Sequence, residues 1–171
     1  MENTKLIISR RLIIRKFEDE DIKKDMEFFD NSRFYYLSDE TDKKDFIDHI
    51  QKAYEKKSDI NFWHVVKKGM NESIGCVKAV KYKDGVRIYP IINKSLRNRG
   101  YGTEAFEAVM DSFFTLAEIK KVYARVKKDN EAYKSLVEKL TLKKYDKDEK
   151  YFYYQIDNLD YMKFFAIFGE I

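Results

Sequence analysis

The sequence predicts an α/β fold, with a mixed, mainly antiparallel central sheet of six to seven strands that is flanked by helices. Two patterns predict it. Three short runs rich in β-branched and aromatic residues follow one another between residues 61 and 92, separated by turn residues, as in an antiparallel meander. Between residues 104 and 117, apolar residues recur instead at three- and four-residue steps, as on the buried face of a helix.

Length and composition indicate one folded domain over residues 1–171. A chain of 171 residues can bury most of its apolar surface in a single core. Aromatic side chains make up 16% of the chain, which disfavours disorder although 37% of the residues are charged. We therefore expect a compact, folded protein.

The charge and cysteine patterns argue against several classes of function. The 34 basic and 30 acidic residues are interspersed, so we expect no nucleic-acid partner. No apolar run approaches membrane-spanning length, so we expect no membrane association and take the cytoplasm as the compartment. Cys76 is the only cysteine, which excludes a disulfide framework and a thiolate site, and we expect no metal.

The N-terminal third predicts a strand and two helices. Residues 6–15 are rich in β-branched side chains and predict an opening strand, which Ser9-Arg10 could divide into two short ones. The acidic stretch EDED starts a helix, since carboxylates are favourable at a helix N-terminus. A second helix is predicted from Thr41, with Ile47 and Ile50 on its buried face.

The central third predicts the meander. Its strands are residues 61–67, 73–82 and 85–92, and Asp84-Gly85 is a strong hairpin signal between the last two. Pro90, the only proline, removes one backbone donor from the third of these strands. A proline there predicts a bulge, an edge, or a separation from the neighbouring strand.

The C-terminal third predicts two more strands and two helices. Residues 121–127 and 150–156 alternate as strands do, and Asp129-Asn130 caps a helix that runs to about residue 140. The segment 158–171 is apolar on nearly all sides. We expect it to be buried, either under the sheet or in a homodimer interface.

A polar loop leads directly into the central helix and suits a phosphate. It contains Arg97, Arg99, Gly100 and Gly102. The glycines allow a sharp turn and a close approach, and the first N–H groups of a helix lack internal partners at the positive end of its dipole. Loop and helix together predict a site that binds a pyrophosphate.

Two other interpretations of this loop remain open. A glycine-rich helix start with solvated arginines is the simpler one, because short glycine motifs match often by chance. Gly100, Gly102 and Ala105 also fit the G-x-G-x-x-A pattern of a dinucleotide-binding domain. That pattern requires a strand running straight into the first glycine, whereas mostly polar residues precede Gly100 here.

Three segments resemble the GNAT N-acetyltransferase family. The segment RNRGYG at residues 97–102 resembles its (Gln/Arg)-x-x-Gly-x-(Gly/Ala) signature. The segment DNEAYKSLVEK at residues 129–139 is similar to its second cofactor motif, D-N-x-x-A-x-x-L-Y-E-K. RLIIRKFEDEDI at residues 11–22 resembles the N-terminal strand and helix of the ribosomal-protein and antibiotic-modifying branch.

The resemblance implies the acyl-CoA N-acyltransferase fold, whose sheet is splayed between its fourth and fifth strands to admit a pantetheine arm. It implies direct transfer of an acetyl group from acetyl-CoA to a primary amine of a small molecule or of a protein N-terminus. Backbone N–H groups near Ile91 and Ile92 would be the oxyanion donors. The residues implied to bind the coenzyme are Ile91, Ile92, Arg97, Asn98, Arg99, Gly100, Tyr101, Gly102, Thr103 and Asn130.

The acceptor and catalytic residues follow less directly from the family pattern. Aromatic and acidic side chains between the first two helices would bind a cationic amine: Phe34, Tyr35, Tyr36 and Asp39. Val137 stands where many members carry the tyrosine that protonates the leaving thiolate. Tyr133, one turn earlier, is the candidate replacement, and a coenzyme A sensor without catalytic activity is the alternative function.

Overall fold

The protein is described by a computed structural model that covers residues 6–27, 43–55, 58–116 and 119–168. The strands are β1 (Leu6–Ile8), β2 (Leu12–Arg15), β3 (Ile60–Lys67), β4 (Glu72–Tyr82), β5 (Gly85–Ile92), β6 (Lys121–Lys127), β7 (Lys143–Lys147) and β8 (Tyr151–Asp157). The helices are α1 (Asp19–Glu27), α2 (Lys43–Ala53), α3 (Tyr101–Leu116), α4 (Glu131–Lys139) and α5 (Asn158–Phe168).

The eight strands of the described residues form one sheet, in the order β1-β2-β3-β4-β5-β6-β8-β7. Every neighbouring pair is antiparallel except β5 and β6, which are parallel. The predicted α/β class and mainly antiparallel sheet are therefore confirmed, as is the division of the opening strand in two. The sheet has one strand more than expected because β7, with the sequence KKYDK, is a polar and mostly exposed edge strand without apolar alternation.

The two faces of the sheet carry separate apolar clusters. The larger one packs α3 and α4 on the sheet and includes Val86, Ile88, Phe106 and Val137. The smaller one lies on the opposite face, beneath α2, and consists of Phe17, Ile50, Ala53, Phe62, Cys76, Tyr89 and Ile91. Alternate residues of β5 therefore point into different clusters, as the pleat of a strand requires.

The parallel strands β5 and β6 part soon after they meet. Only two residue pairs join them, Val86 with Val122 and Arg87 with Tyr123. Beyond them, β5 continues to Ile92 alongside β4, and β6 continues alongside β8. Counted with β1 and β2 as one strand, these are the fourth and fifth strands, so the expected splay is confirmed.

The hydrogen-bond register shows which backbone groups of β5 face the opening between β5 and β6. Asn93 N donates to Ile74 O at 2.9 Å, which continues the register of the antiparallel β4–β5 pair. Because hydrogen-bonded residues alternate along such a pair, the backbone N–H and C=O groups of Ile91 are directed at β4. The backbone groups of Ile88, Pro90 and Ile92 are directed at the opening between β5 and β6. Pro90 therefore costs β4 no hydrogen bond.

The C-terminal segment begins by packing into the core. In α5, Tyr161 is 2% exposed, and its ring centroid lies 5.0 Å from that of Phe114. The homodimer interface expected for residues 158–171 stays a prediction. In the part of the chain that the structure describes, no helix is both long and apolar enough to span a membrane.

Gly85 permits the contact between β5 and β6, which gives a first prediction. A Cβ at Gly85 would lie 2.0 Å from Lys121 O, so Gly85→Ala must displace backbone and should cost about 3 kcal/mol of unfolding free energy. In Gly69→Ala, only the backbone strain at φ +77° applies, with an expected cost of about 1 kcal/mol. Urea unfolding of both variants measures the difference; equal losses would contradict the predicted clash.

Candidate functional site

The N-terminus of α3 presents three backbone donors. Glu104 N donates to Gly100 O at 3.1 Å, which makes Gly100 the N-cap residue. The N–H groups of Tyr101, Gly102 and Thr103 therefore have no acceptor inside the helix. Within the described residues, no other protein group accepts from them, so these donors at the positive end of the helix can bind an anion.

A cavity of about 460 Å³ lies against these donors. Its walls come from the end of β5, the loop before α3, the first turn of α3 and one side of α4. Nearly all of the predicted coenzyme residues line it, together with the candidate catalytic tyrosine: Ile91, Ile92, Arg97, Asn98, Gly100, Tyr101, Gly102, Thr103, Asn130 and Tyr133. The fold thus brings together two motifs that lie about thirty residues apart.

The two arginines of the loop have different positions. Arg97 lines the cavity, and its Nε donates to Ile92 O at 3.1 Å. Arg99 is exposed and lines a neighbouring open groove instead, and its carbonyl accepts from Arg11 Nη1 at 3.1 Å. The structure therefore does not bring the Arg99 side chain together with the other predicted residues.

Side-chain contacts between Glu104 and the N-terminal hairpin, which we call the Glu104 buttress, hold the start of α3. Glu104 accepts from Ser9 Oγ at 2.7 Å and from both the backbone N and Nε of Arg11 at 2.6 Å. The Arg11 guanidinium also lies 4.5 Å from the centroid of the Tyr101 ring. These contacts fix the first turn of α3 through its side chains and leave its N–H groups available.

Two residues of the second motif have defined roles in α4. Asn130 is 7% exposed, and its Oδ1 accepts from Tyr133 N at 3.0 Å, so it caps the helix. With its oxygen engaged, the Asn130 amide nitrogen is the group that can donate to a ligand. Val137 is fully buried in the larger cluster.

Tyr133 lies where β5 and β6 part. Its hydroxyl donates to Ile88 O at 2.5 Å. Burial, followed by the nearby Tyr89 hydroxyl, raises the pKa of Tyr133 well above its ordinary value, whereas Arg87 and Arg125 act in the opposite direction. Tyr133 therefore keeps its proton at physiological pH.

Sequence reasoning missed several residues of the cavity. Ala132, Ser135, Leu136 and Lys139 line it from one side of α4, at the three- and four-residue spacing of a helix face. Applying that spacing from Ala132 onward would have found the other three. The expected acceptor residues Phe34, Tyr35, Tyr36 and Asp39 lie outside the described residues.

Comparison with known proteins identifies the family. Residues 11–143 match the family model described as the acetyltransferase (GNAT) domain. The chain belongs to the GNAT acetyltransferase family. It is accordingly an N-acetyltransferase, of a family that uses acyl-CoA, and its branch within the GNAT family stays a prediction. A search of curated proteins found no match.

Solved GNAT structures share this fold at low sequence identity. A GNAT acetyltransferase from Bacillus anthracis is 21% identical, with 90% of this chain and 99% of that chain covered and a TM-score of 0.78. Spermidine N-acetyltransferase from Vibrio cholerae, in complex with CoA and spermine, is 14% identical, with coverages of 88% and 98% and a TM-score of 0.75. An apo nucleotide-linked sugar GNAT is 17% identical, with coverages of 98% and 97% and a TM-score of 0.78.

The Glu104 buttress of this GNAT protein gives a pH-dependent prediction. Burial opposes ionisation of Glu104, but the hydrogen bonds from Arg11 and Ser9 outweigh it and lower its pKa. A depressed pKa stabilises the fold above the unfolded-state value of about 4.3, and this contribution is lost as pH falls through the folded-state value. Glu104→Gln should therefore cost about 1–2 kcal/mol near neutral pH, and less below about pH 4.

Urea unfolding of Glu104→Gln and of the native chain, from neutral pH to below about pH 4, measures how the stability difference between them depends on pH. Glu149→Gln, at an exposed position, is the control and should match the native chain throughout. A pH-independent loss of stability in Glu104→Gln would show that the ionised carboxylate does not form the buttress.

Proposed function

We propose that this protein transfers the acetyl group of acetyl-CoA directly to a primary amine of a small molecule or of a protein N-terminus. One observation carries the proposal: three N–H groups at the start of α3, for which the described residues provide no acceptor, adjoin a cavity that reaches the parting of β5 and β6. An anion-binding helix terminus beside an open strand edge fits a diphosphate followed by a peptide-like arm.

The residues of the cavity fit this coenzyme. The N–H groups of Tyr101, Gly102 and Thr103 would hold its diphosphate, with Arg97 adding positive charge. A Cβ at Gly102 would occupy space beside Ile92 Cγ1 and Leu136 Cδ1, in ordinary contact with each at 3.4 Å, and glycine leaves this space to the cavity. Further in, Pro90 C=O and Ile92 N–H are directed at the opening, where an amide-bearing arm can pair with them.

The chain also places groups that support acyl transfer. Bound acetyl-CoA would supply an activated acetyl thioester at the opening. Ile92 N–H is directed there and would stabilise negative charge on a carbonyl oxygen, whereas Ile91 N–H is directed at β4. The incoming amine must first lose a proton, because an ammonium has no lone pair.

Tyr133 is proposed as the proton donor. Its hydroxyl is neutral and lies at the opening, bound to Ile88 O. A sulfur leaving group needs a proton at that place, and the hydroxyl can turn from Ile88 O to give it. This role replaces the one that the family assigns to a tyrosine at position 137.

The fold alone does not determine the acceptor. The named activities of two structural neighbours differ, since one is a spermidine N-acetyltransferase and the other a nucleotide-linked sugar GNAT. The acceptor must therefore be argued from the residues of this chain.

The different positions of Arg97 and Arg99 test coenzyme binding. Arg97→Gln removes a cationic group from the cavity and should weaken acetyl-CoA binding about tenfold, because hydrogen bonds between charged groups are strong. Arg99→Gln is the matched control and should change affinity less than about twofold, since its side chain lies in the other groove. Calorimetric titration measures both.

Equal effects of the two substitutions would contradict the proposed position of the diphosphate. If the native chain does not bind acetyl-CoA at all, the proposed function is wrong. Binding without release of coenzyme A thiol in the presence of any amine from a broad panel would favour the sensor function instead.

The role of Tyr133 gives a separate prediction. Tyr133→Phe keeps the ring in place and should lower kcat roughly 100-fold through loss of the proton donor, with little change in KM for acetyl-CoA. Tyr154→Phe, which removes the hydroxyl of a buried tyrosine that donates to Glu138 Oε1 at 2.9 Å, is the control and should retain kcat. Steady-state kinetics measures kcat and KM of both variants. An unchanged kcat in Tyr133→Phe would show that the Tyr133 hydroxyl has only a structural role.

A further inference from the structure

Two arginines lie on the sheet face opposite α3, beside the parting of β5 and β6. Val86 and Ile88 of β5, and Val122, Ala124 and Val126 of β6, point into the larger cluster. By alternation, the residues between them point to the other face. We call this set, with one cross-strand neighbour from β8, the arginine face: Arg87, Tyr89, Tyr123, Arg125 and Tyr153.

The arginine face adjoins the coenzyme cavity. Arg87 Nη1 donates to the Tyr89 hydroxyl at 3.4 Å, and Tyr89 lines the cavity. Arg87 pairs with Tyr123 across the parallel contact, and Arg125 follows on the same face roughly 7 Å further along β6. Both guanidinium groups also act to lower the pKa of the Tyr133 hydroxyl, against the larger effect of its burial.

Neither guanidinium group has an ion-pair partner among the described residues. The Nε atoms of Arg87 and Arg125 are buried and have no hydrogen-bond acceptor there. The nearby carboxylates are engaged elsewhere. Asp84 binds the Tyr123 hydroxyl and Lys121 Nζ, and Asp148 binds the Tyr153 hydroxyl and two backbone N–H groups.

Aromatic rings orient the two cations. The Arg87 guanidinium carbon lies 3.6 Å from the centroid of the Tyr82 ring, and that of Arg125 lies 4.5 Å from the centroid of the Tyr151 ring. Stacking holds a guanidinium plane in one orientation and leaves its edge for a planar partner. Two oriented, half-buried cations that pair with no carboxylate of the described residues form a site for an anion, because unpaired charge at such a position is costly.

We propose that the acceptor amine also carries a carboxylate or phosphate group, and that Arg87 and Arg125 bind this group while the amine reaches the opening between β5 and β6. The inference rests on the proposed function, since it names the class of acceptor for the same reaction. It differs from the sequence expectation of a cationic amine, which relied on Asp39 and neighbouring aromatic residues.

A kinetic experiment compares matched amines at saturating acetyl-CoA. L-tyrosine is paired with tyramine, and O-phosphoethanolamine with ethanolamine, so that the pairs separate carboxylate from phosphate recognition; spermidine represents cationic acceptors. The anionic member of at least one pair should have a kcat/KM about tenfold higher than its partner. Arg87→Gln and Arg125→Gln should each remove this preference mainly through KM, while exposed Arg10→Gln retains it.

A binding experiment does not depend on turnover. With the coenzyme site saturated by CoA, inorganic phosphate or acetate should raise Tm by about 2 °C relative to chloride at equal ionic strength. The shift should be lost in Arg87→Gln and Arg125→Gln and kept in Arg10→Gln. Whichever anion gives the larger shift identifies the group that the site prefers.

The outcomes separate this inference from the proposed function. A native chain that does not bind acetyl-CoA in calorimetry overturns the proposed function. Two results would overturn only the arginine assignment in a chain that binds acetyl-CoA. One is the absence of an anion-dependent Tm shift. The other is a native chain that acetylates tyramine, ethanolamine or spermidine without preferring the anionic acceptors, and does so no better than the arginine variants.

Discussion

The brevity of the parallel contact between β5 and β6 determines the geometry of the whole site. Two residue pairs join the strands, and Gly85 makes even these possible by omitting a side chain that would strike Lys121 O. Past the second pair, the Ile88 carbonyl bonds with Tyr133 from α4 instead of with β6. A helix side chain thus takes over a sheet hydrogen bond, and the buried backbone remains satisfied while the strands separate.

A second requirement is that the anion-binding donors at α3 stay unpaired. Helix N-termini are commonly capped by a side chain that takes one of these donors. Here the cap residue is Gly100, which has no side chain to do so, and the nearest acid, Glu104, is occupied by Ser9 and Arg11. The hairpin of β1 and β2 therefore stabilises the loop without competing with a ligand.

Local patterns in the sequence predicted most of the fold, because strand and helix periodicities and the Asp-Gly turn depend on neighbouring residues. The polar edge strand β7 was missed since it buries almost nothing. In the site, the sequence showed that Arg97 and Arg99 lie on one loop. It did not show that the Arg97 side chain lines the cavity and the Arg99 side chain lines the neighbouring groove. Contacts such as those of Arg11 with Glu104, or Tyr133 with Ile88, join residues far apart in the chain and follow no periodic pattern.

The two borders of the sheet differ in how they would meet another strand. At one border, β7 carries Lys143, Lys144 and Lys147, whose charges oppose extension of the sheet into a neighbouring molecule. At the other, β1 is only three residues long and exposes Leu6 and Ile8, by 55% and 60%. A ribbon that grows by strand addition needs two compatible borders, so this asymmetry protects the folded chain from open-ended aggregation through its sheet.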